Sequence, residues 1–143
     1  MNVRDLLGSW ELLSCHLVTD GARSEPLGHR PTGYIHYLDN GQMATIIMHE
    51  GRQPLSGGRH DSPEPEMAAA ARKLDAYGGA YTFHGDRVVH HLAVSSFQND
   101  VGADYLRTVA LADNGDLLMG TPDQTTPAGV TSFEMVWRKL PAA

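Results

Sequence analysis

Alternation of apolar and polar residues, cut at short intervals by glycine-bearing turns, is what most restricts the folds open to this chain. It is densest from Tyr77 to Leu111, which reads as three consecutive antiparallel strands. Phe83 and Val88 bracket His-Gly-Asp-Arg, so Gly85-Asp86 is a two-residue turn that sets Tyr81 opposite His90. Residues two apart share a strand face, which groups Val88, His90, Leu92 and Val94. The opposite face, Val89, His91, Ala93 and Ser95, is smaller and more polar. After a turn at Gln98-Asn99-Asp100, Tyr105, Arg107, Val109 and Leu111 alternate with Leu106, Thr108 and Ala110. A histidine and an arginine among apolar neighbours on a buried face need a partner, a water or a ligand.

The same grammar runs through the rest of the chain. Val3 to Leu7 is a short helical turn stopped by Gly8, followed by a strand in which Trp10, Leu12, Ser14 and His16 share one face. Asp20-Gly21 turns the chain, and Pro26 to Pro31 is loop. Asp39-Asn40-Gly41 joins the strand Gly33 to Leu38 to the strand Gln42 to His49. That pairing puts Ile35 and Tyr37 with Met43, Thr45 and Ile47, and turns Tyr34 and His36 outward. Ser62 as N-cap, Pro63 at the first helical position, and Glu64 and Glu66 in the first turn begin a helix. It runs to Tyr77, stops at Gly78-Gly79, and carries a narrow apolar stripe of Met67, Ala70, Ala71 and Leu74, suited to a plug or a lid. Two further strands flank the Pro122 to Gly129 loop, the last placing Phe133, Met135 and Trp137 on one face.

Seven or eight short strands with one inserted helix predict an all-β, nearly closed antiparallel up-and-down barrel, a single domain over residues 1–143. About eight strands leave an interior that side chains fill, or that encloses one small ligand. The net charge of −6, without a basic run, argues against nucleic acid. No stretch has the length of a membrane span or the apolar core of a signal peptide, so the expected protein is soluble and cytoplasmic, as monomer or homodimer. The single cysteine, Cys15, has no internal disulfide partner and reads as a small core or wall residue.

Several stretches together resemble the small stand-alone lipocalin-like domain proteins of microbes: LLGSWELLS, PTGYIHYLDNGQMATIIM, YGGAYTFHGDRVVHHLAVSSFQNDVG with its following Leu-Arg, and SFEMVWRKL. The Gly8-Ser9-Trp10 element looks like the lipocalin G-x-W signature, and Arg138 stands where such barrels often carry a late arginine over that tryptophan. The resemblance implies a barrel whose closed end is sealed by a Trp10–Arg138 cation–π contact and whose cavity takes a small, largely apolar molecule. Some related barrels resemble cofactor-free cyclases and isomerases of natural-product pathways.

No nucleophile elbow, glycine-rich phosphate or dinucleotide loop, or H-E-x-x-H is present, and the reading needs no cofactor. His90 and His91 point to opposite faces and cannot share one ion, so no metal is expected. The candidate catalytic residues are His90 as acid or base, with Arg107 and Tyr37 polarising an oxygen. The expected ligand wall comprises Leu12, Ser14, Met43, Thr45, Ile47, Tyr81 and Phe83 from the first half. Leu92, Val94, Tyr105, Val109, Met119, Phe133 and Met135 complete it. The expected function is a cofactor-free cyclase or isomerase of a hydrophobic natural-product-like substrate, with a non-catalytic carrier of a small apolar ligand as the alternative.

Overall fold

A computed structural model describes all residues 1–143. Ten strands form one antiparallel sheet, and pairing of the first long strand with the last closes eight of them into a barrel. In chain order these eight are β1 (Gly8–Thr19), β3 (Thr32–Tyr37), β4 (Gln42–Met48), β5 (Leu74–Phe83), β6 (Arg87–Ser95), β7 (Asp104–Leu111), β8 (Leu117–Gly120) and β10 (Gly129–Lys139). The short β2 (Ala22–Ser24) and β9 (Gln124–Thr126) extend the sheet beside β1 and β10. Closure leaves the eight barrel strands no free edge, which suits a chain so rich in alternating strands.

One end is sealed. The helical turn α1 (Val3–Leu6) is held by a capping box in which the Asn2 and Asp5 side chains each accept the other's backbone N–H. It presses Leu6, fully buried, under Trp10, whose indole N–H donates to the Leu6 carbonyl at 2.9 Å. Lys139, the register partner of Trp10, places its ammonium 4.4 Å from the indole centroid. The cation over Trp10 is therefore Lys139. Arg138 is turned outward on the neighbouring position, its Nε 3.9 Å from Asp116. Tyr37, Met43, Val88, Val109 and Leu117 belong to the same buried core as Leu6 and Trp10.

The registers expected on either side of the tight turns hold: Tyr81 faces His90, Tyr37 faces Met43 and Ile35 faces Thr45. Two β-bulges alter the faces. An extra residue in β1, between the Leu12–Trp137 and Ser14–Val136 pairs, brings Cys15 inward and turns Ser14 away. An extra residue in β6 pairs Val94 with Gly78 and leaves Val94 65% exposed, while Ser95 comes opposite Tyr77. Ser14 and Val94 thus leave the interior set expected from strict alternation.

The inserted helix is shorter than its local signals suggest. α2 spans Glu64–Ala71 with Pro63 at its N-cap and no side-chain cap. Ser62 Oγ instead donates to the Gly58 carbonyl at 2.8 Å. No residue of α2 is buried; it rests against the loop that follows β4, through Ser56–Glu66 hydrogen bonds and an Arg52 contact to the Ala70 carbonyl. Residues 74–77 belong to β5, paired with β4 from Met48–Leu74 to Gln42–Ala80. Those seven cross-strand pairs outweigh a local helical preference of tenths of a kcal/mol per residue. Gly79 is therefore a mid-strand glycine, not a helix stop. A Cβ there would stand 1.9 Å from the His91 carbonyl oxygen, where bulged β6 presses closest.

Candidate functional site

Between the sealed end and the opposite rim, the barrel holds a cavity of about 200 Å³. It somewhat exceeds the roughly 150 Å³ apolar cavity that accommodates benzene. Its apolar wall comes from the inward faces of β3, β4, β8 and β10, through Ile35, Ile47, Met119, Phe133, Met135 and Trp137. Leu27 closes over it from the loop after β2. That loop is tied down by Glu50, whose N–H donates to the Leu27 carbonyl at 2.8 Å and whose carboxylate accepts the backbone N–H groups of His29 and Arg30. Cys15 also lines the wall; burial pushes its thiol up to about 11, so it stays protonated and unreactive at neutral pH.

Polar groups gather on one side. Thr45, His49, Asp75, Tyr77, Arg107 and Thr121 reach the same cavity. Asp75 and Tyr77 are two apart on β5 and so share its inward face, whereas Arg107 comes from β7. No carboxylate pairs with Arg107. It donates to the neighbouring Leu106 carbonyl, and its guanidinium lies 4.9 Å from the Tyr105 ring centroid. A guanidinium with unused donors beside an apolar hollow is suited to an oxygen of a bound molecule.

His90 is fully buried behind this wall rather than in it. Its Nε2 meets the Tyr37 hydroxyl at 2.7 Å and its Nδ1 the Tyr77 hydroxyl at 2.8 Å. A neutral imidazole has one N–H and one lone pair, so one tyrosine accepts from it and the other donates to it. Burial, reinforced by the positive charges of Arg107 and His91, drives the ring down to about 3. Desolvation also lifts Tyr37 well above the usual phenol range and Tyr77 to about 12, with Arg107 pulling both the other way. At neutral pH the trio is uncharged, and both ring nitrogens of His90 are satisfied by the two hydroxyls. Tyr81 packs edge-on against Tyr37 at 5.1 Å, and Tyr105 against Tyr77 at 5.3 Å, which fixes both rings. Tyr105 is itself held by a hydrogen bond from its hydroxyl to Asp100.

Of the residues nominated from sequence, Thr45, Ile47, Arg107, Met119, Phe133 and Met135 line the cavity. Leu12, Met43, Leu92 and Val109 are buried core, and Tyr81, Phe83 and Tyr105 pack partly buried against it. Tyr37 and His90 form the inner hydrogen-bonded layer. Sequence reasoning missed Asp75 and Tyr77 because it placed both on the helix. The alternation from Asp75 through Tyr77 into the Tyr81 strand was the available signal. His49, Thr121 and Leu27 also reach the cavity without having been nominated for it.

The sequence comparison agrees with the architecture. A family model described as a lipocalin-like domain matches residues 7–140, and the chain belongs to that family. No curated protein matches it. A barrel of this family with this cavity suits a small hydrophobic ligand. No helix is long and apolar enough to cross a membrane.

Proposed function

We propose that this lipocalin-like barrel takes up a small, largely apolar molecule bearing a carbonyl or carboxylate oxygen, and isomerises or cyclises it without a cofactor. The observation that carries the reading is Arg107, a guanidinium with no carboxylate partner on the wall of a mainly apolar cavity. The ligand's body packs against Ile35, Ile47, Met119 and Trp137, and its oxygen takes the free donors of Arg107 with help from the Tyr77 hydroxyl. In this reading His90 and Tyr37 are positioning residues: they hold Tyr77 through the imidazole and touch no substrate. Holding a flexible substrate in a reactive shape is worth several kcal/mol of the barrier, and polarising its oxygen adds to that.

A non-catalytic carrier is the second reading, favoured by a different observation. The imidazole best suited by type to move protons at pH 7 is sealed between two phenols and kept neutral. The test is a titration followed by protein NMR, comparing small cyclic ketones and carboxylates with hydrocarbons of the same shape. Oxygenated ligands should bind at least tenfold better, and Arg107→Met should abolish the difference. Equal affinity for both kinds in the wild type refutes the role of Arg107. Incubation of bound ligands with protein, followed by mass and retention time of products, separates enzyme from carrier.

A further inference from the structure

Asp75 is the one carboxylate on the cavity wall, and no hydrogen bond or ion pair holds it. It accepts no side-chain or backbone hydrogen bond and belongs to no ion pair, although Arg107 and His49 line the same hollow. Tyr77, its neighbour on the same face of β5, is hydrogen-bonded to His90 Nδ1, and in the tautomer that carries the proton on Nδ1 it accepts from the ring and keeps its own O–H for the cavity. One acceptor with free lone pairs and two donors, Tyr77 and Arg107, therefore converge on a single small apolar space. A hydrogen-bonded binding site for a fixed carboxylate ligand needs donors only. A carboxylate added to that set stands in the place of a base.

We infer that Asp75 is a general base for enolisation, and that the substrate class is a small ketone with an acidic C–H beside or vinylogous to its carbonyl. The inference rests on the ligand reading above and assigns the chemistry of the same cavity. The step balances without any co-reactant. The Asp75 carboxylate takes the proton from the carbon next to the carbonyl; the C–H electron pair forms the new C=C bond, and the carbonyl π pair moves onto oxygen. The enolate oxygen is held by the Arg107 guanidinium and the Tyr77 hydroxyl, which are in place before charge develops there. As the enolate oxygen pair re-forms the carbonyl, the protonated Asp75 gives its proton to the far carbon of a dienolate, yielding the conjugated isomer, or, once that proton has been replaced from water, to the original carbon, yielding exchange. Desolvation raises the Asp75 carboxyl above the usual range, with Asp100 adding to it and Arg107 and His49 opposing. That direction strengthens it as a base, although the residue keeps contact with solvent.

The probe is cyclohex-3-en-1-one, converted to its conjugated isomer, followed by ultraviolet absorbance and, in D2O, by NMR of the exchanged positions. Its binding is read separately from protein chemical shifts. The wild type should accelerate the conversion at least a hundredfold over buffer. Asp75→Asn, which keeps size and polarity, should lose nearly all of that while binding the ketone within about threefold, because general-base catalysis supplies about 10²- to 10⁴-fold. Arg107→Met should lose both binding and turnover. If the ketone binds in an Arg107-dependent manner but is not isomerised, or if Asp75→Asn turns over as fast as wild type, the assignment of Asp75 is overturned and the ligand reading stands. If the ketone does not bind at all, both fall.

Discussion

His90 makes the stability of this protein depend on pH in a way that one substitution isolates. The ring is fully buried between Tyr37 and Tyr77, and burial lowers it from 6.5 to about 3. Because the folded-state value lies below the unfolded one, the unfolded chain binds the proton first as pH falls. The contribution of the neutral ring is whole above about pH 6.5 and drains away toward about pH 3. Each pH unit between those two values carries about 1.4 kcal/mol, so the full window is worth about 5 kcal/mol, and the part between pH 6.5 and pH 5 about 2 kcal/mol. Urea unfolding of the wild type and of His90→Gln at half-unit steps from pH 7.5 to pH 5 measures it. Glutamine offers one donor and one acceptor to the two phenols but does not titrate, and the other seven histidines are common to both proteins. The variant should be less stable at pH 7.5, by about 1–3 kcal/mol for imperfect hydrogen bonding to two buried hydroxyls. The gap should then narrow by about 2 kcal/mol on the way to pH 5. A gap that stays constant across that range refutes the buried neutral imidazole.

Other substitutions test separate features of the barrel. Arg107→Met should leave the melting temperature unchanged or raise it, since an unpaired, partly buried charge is replaced by apolar volume, while affinity for oxygenated ligands falls roughly 10- to 100-fold; calorimetry and titration read the two effects. Gly79→Ala should cost about 3 kcal/mol or more, or leave the protein insoluble, because its Cβ meets the His91 carbonyl at 1.9 Å. Gly78→Ala, facing the Met43 carbonyl at 3.1 Å, should be milder, and equal melting temperatures for the two would contradict the close approach at the bulge. Lys139→Met should lose about 0.5–1 kcal/mol from the sealed end, whereas Arg138→Ala should stay within about 0.5 kcal/mol; the reverse order in thermal melts would return the cation–π role to Arg138.

Much of the barrel was legible because the turns are short and the period is strict. Asp39-Asn40-Gly41 and Gly85-Asp86 determined two registers correctly, and those registers put Tyr37, Thr45 and His90 inward. Alternation carries no mark of where an extra residue enters a strand, so both bulges were invisible. The cost was Ser14 and Val94 taken for interior residues, whereas Cys15 stands on the wall as a small core residue should. The helix boundary failed for a different reason. Alanines and charged residues from Met67 to Asp75 favour a helix locally, but residues 74–80 have an open strand edge of β4 to satisfy, and only the tertiary pairing reveals it. Residues 74–77 were misplaced there, and they include the two most consequential side chains of the cavity, Asp75 and Tyr77.

The course of β5 explains why those side chains matter. It enters the barrel wall at Leu74, directly after α2, so its first inward positions, Asp75 and Tyr77, line the cavity, and its later ones, Tyr81 and Phe83, pack against the core. The tyrosine–histidine layer crosses between these two regions: Tyr81 against Tyr37, Tyr37 to His90, His90 to Tyr77, Tyr77 against Tyr105. Every member touches the next by a ring edge or a hydrogen bond, so the phenol facing the cavity cannot turn without disturbing rings in the packed half. A neutral network of this kind is rigid because leaving either buried ring nitrogen of His90 unpaired costs about 1–3 kcal/mol. Its effect on function is then positional. Replacing His90 should alter how well Tyr77 holds a ligand oxygen, even though the imidazole itself never reaches the ligand.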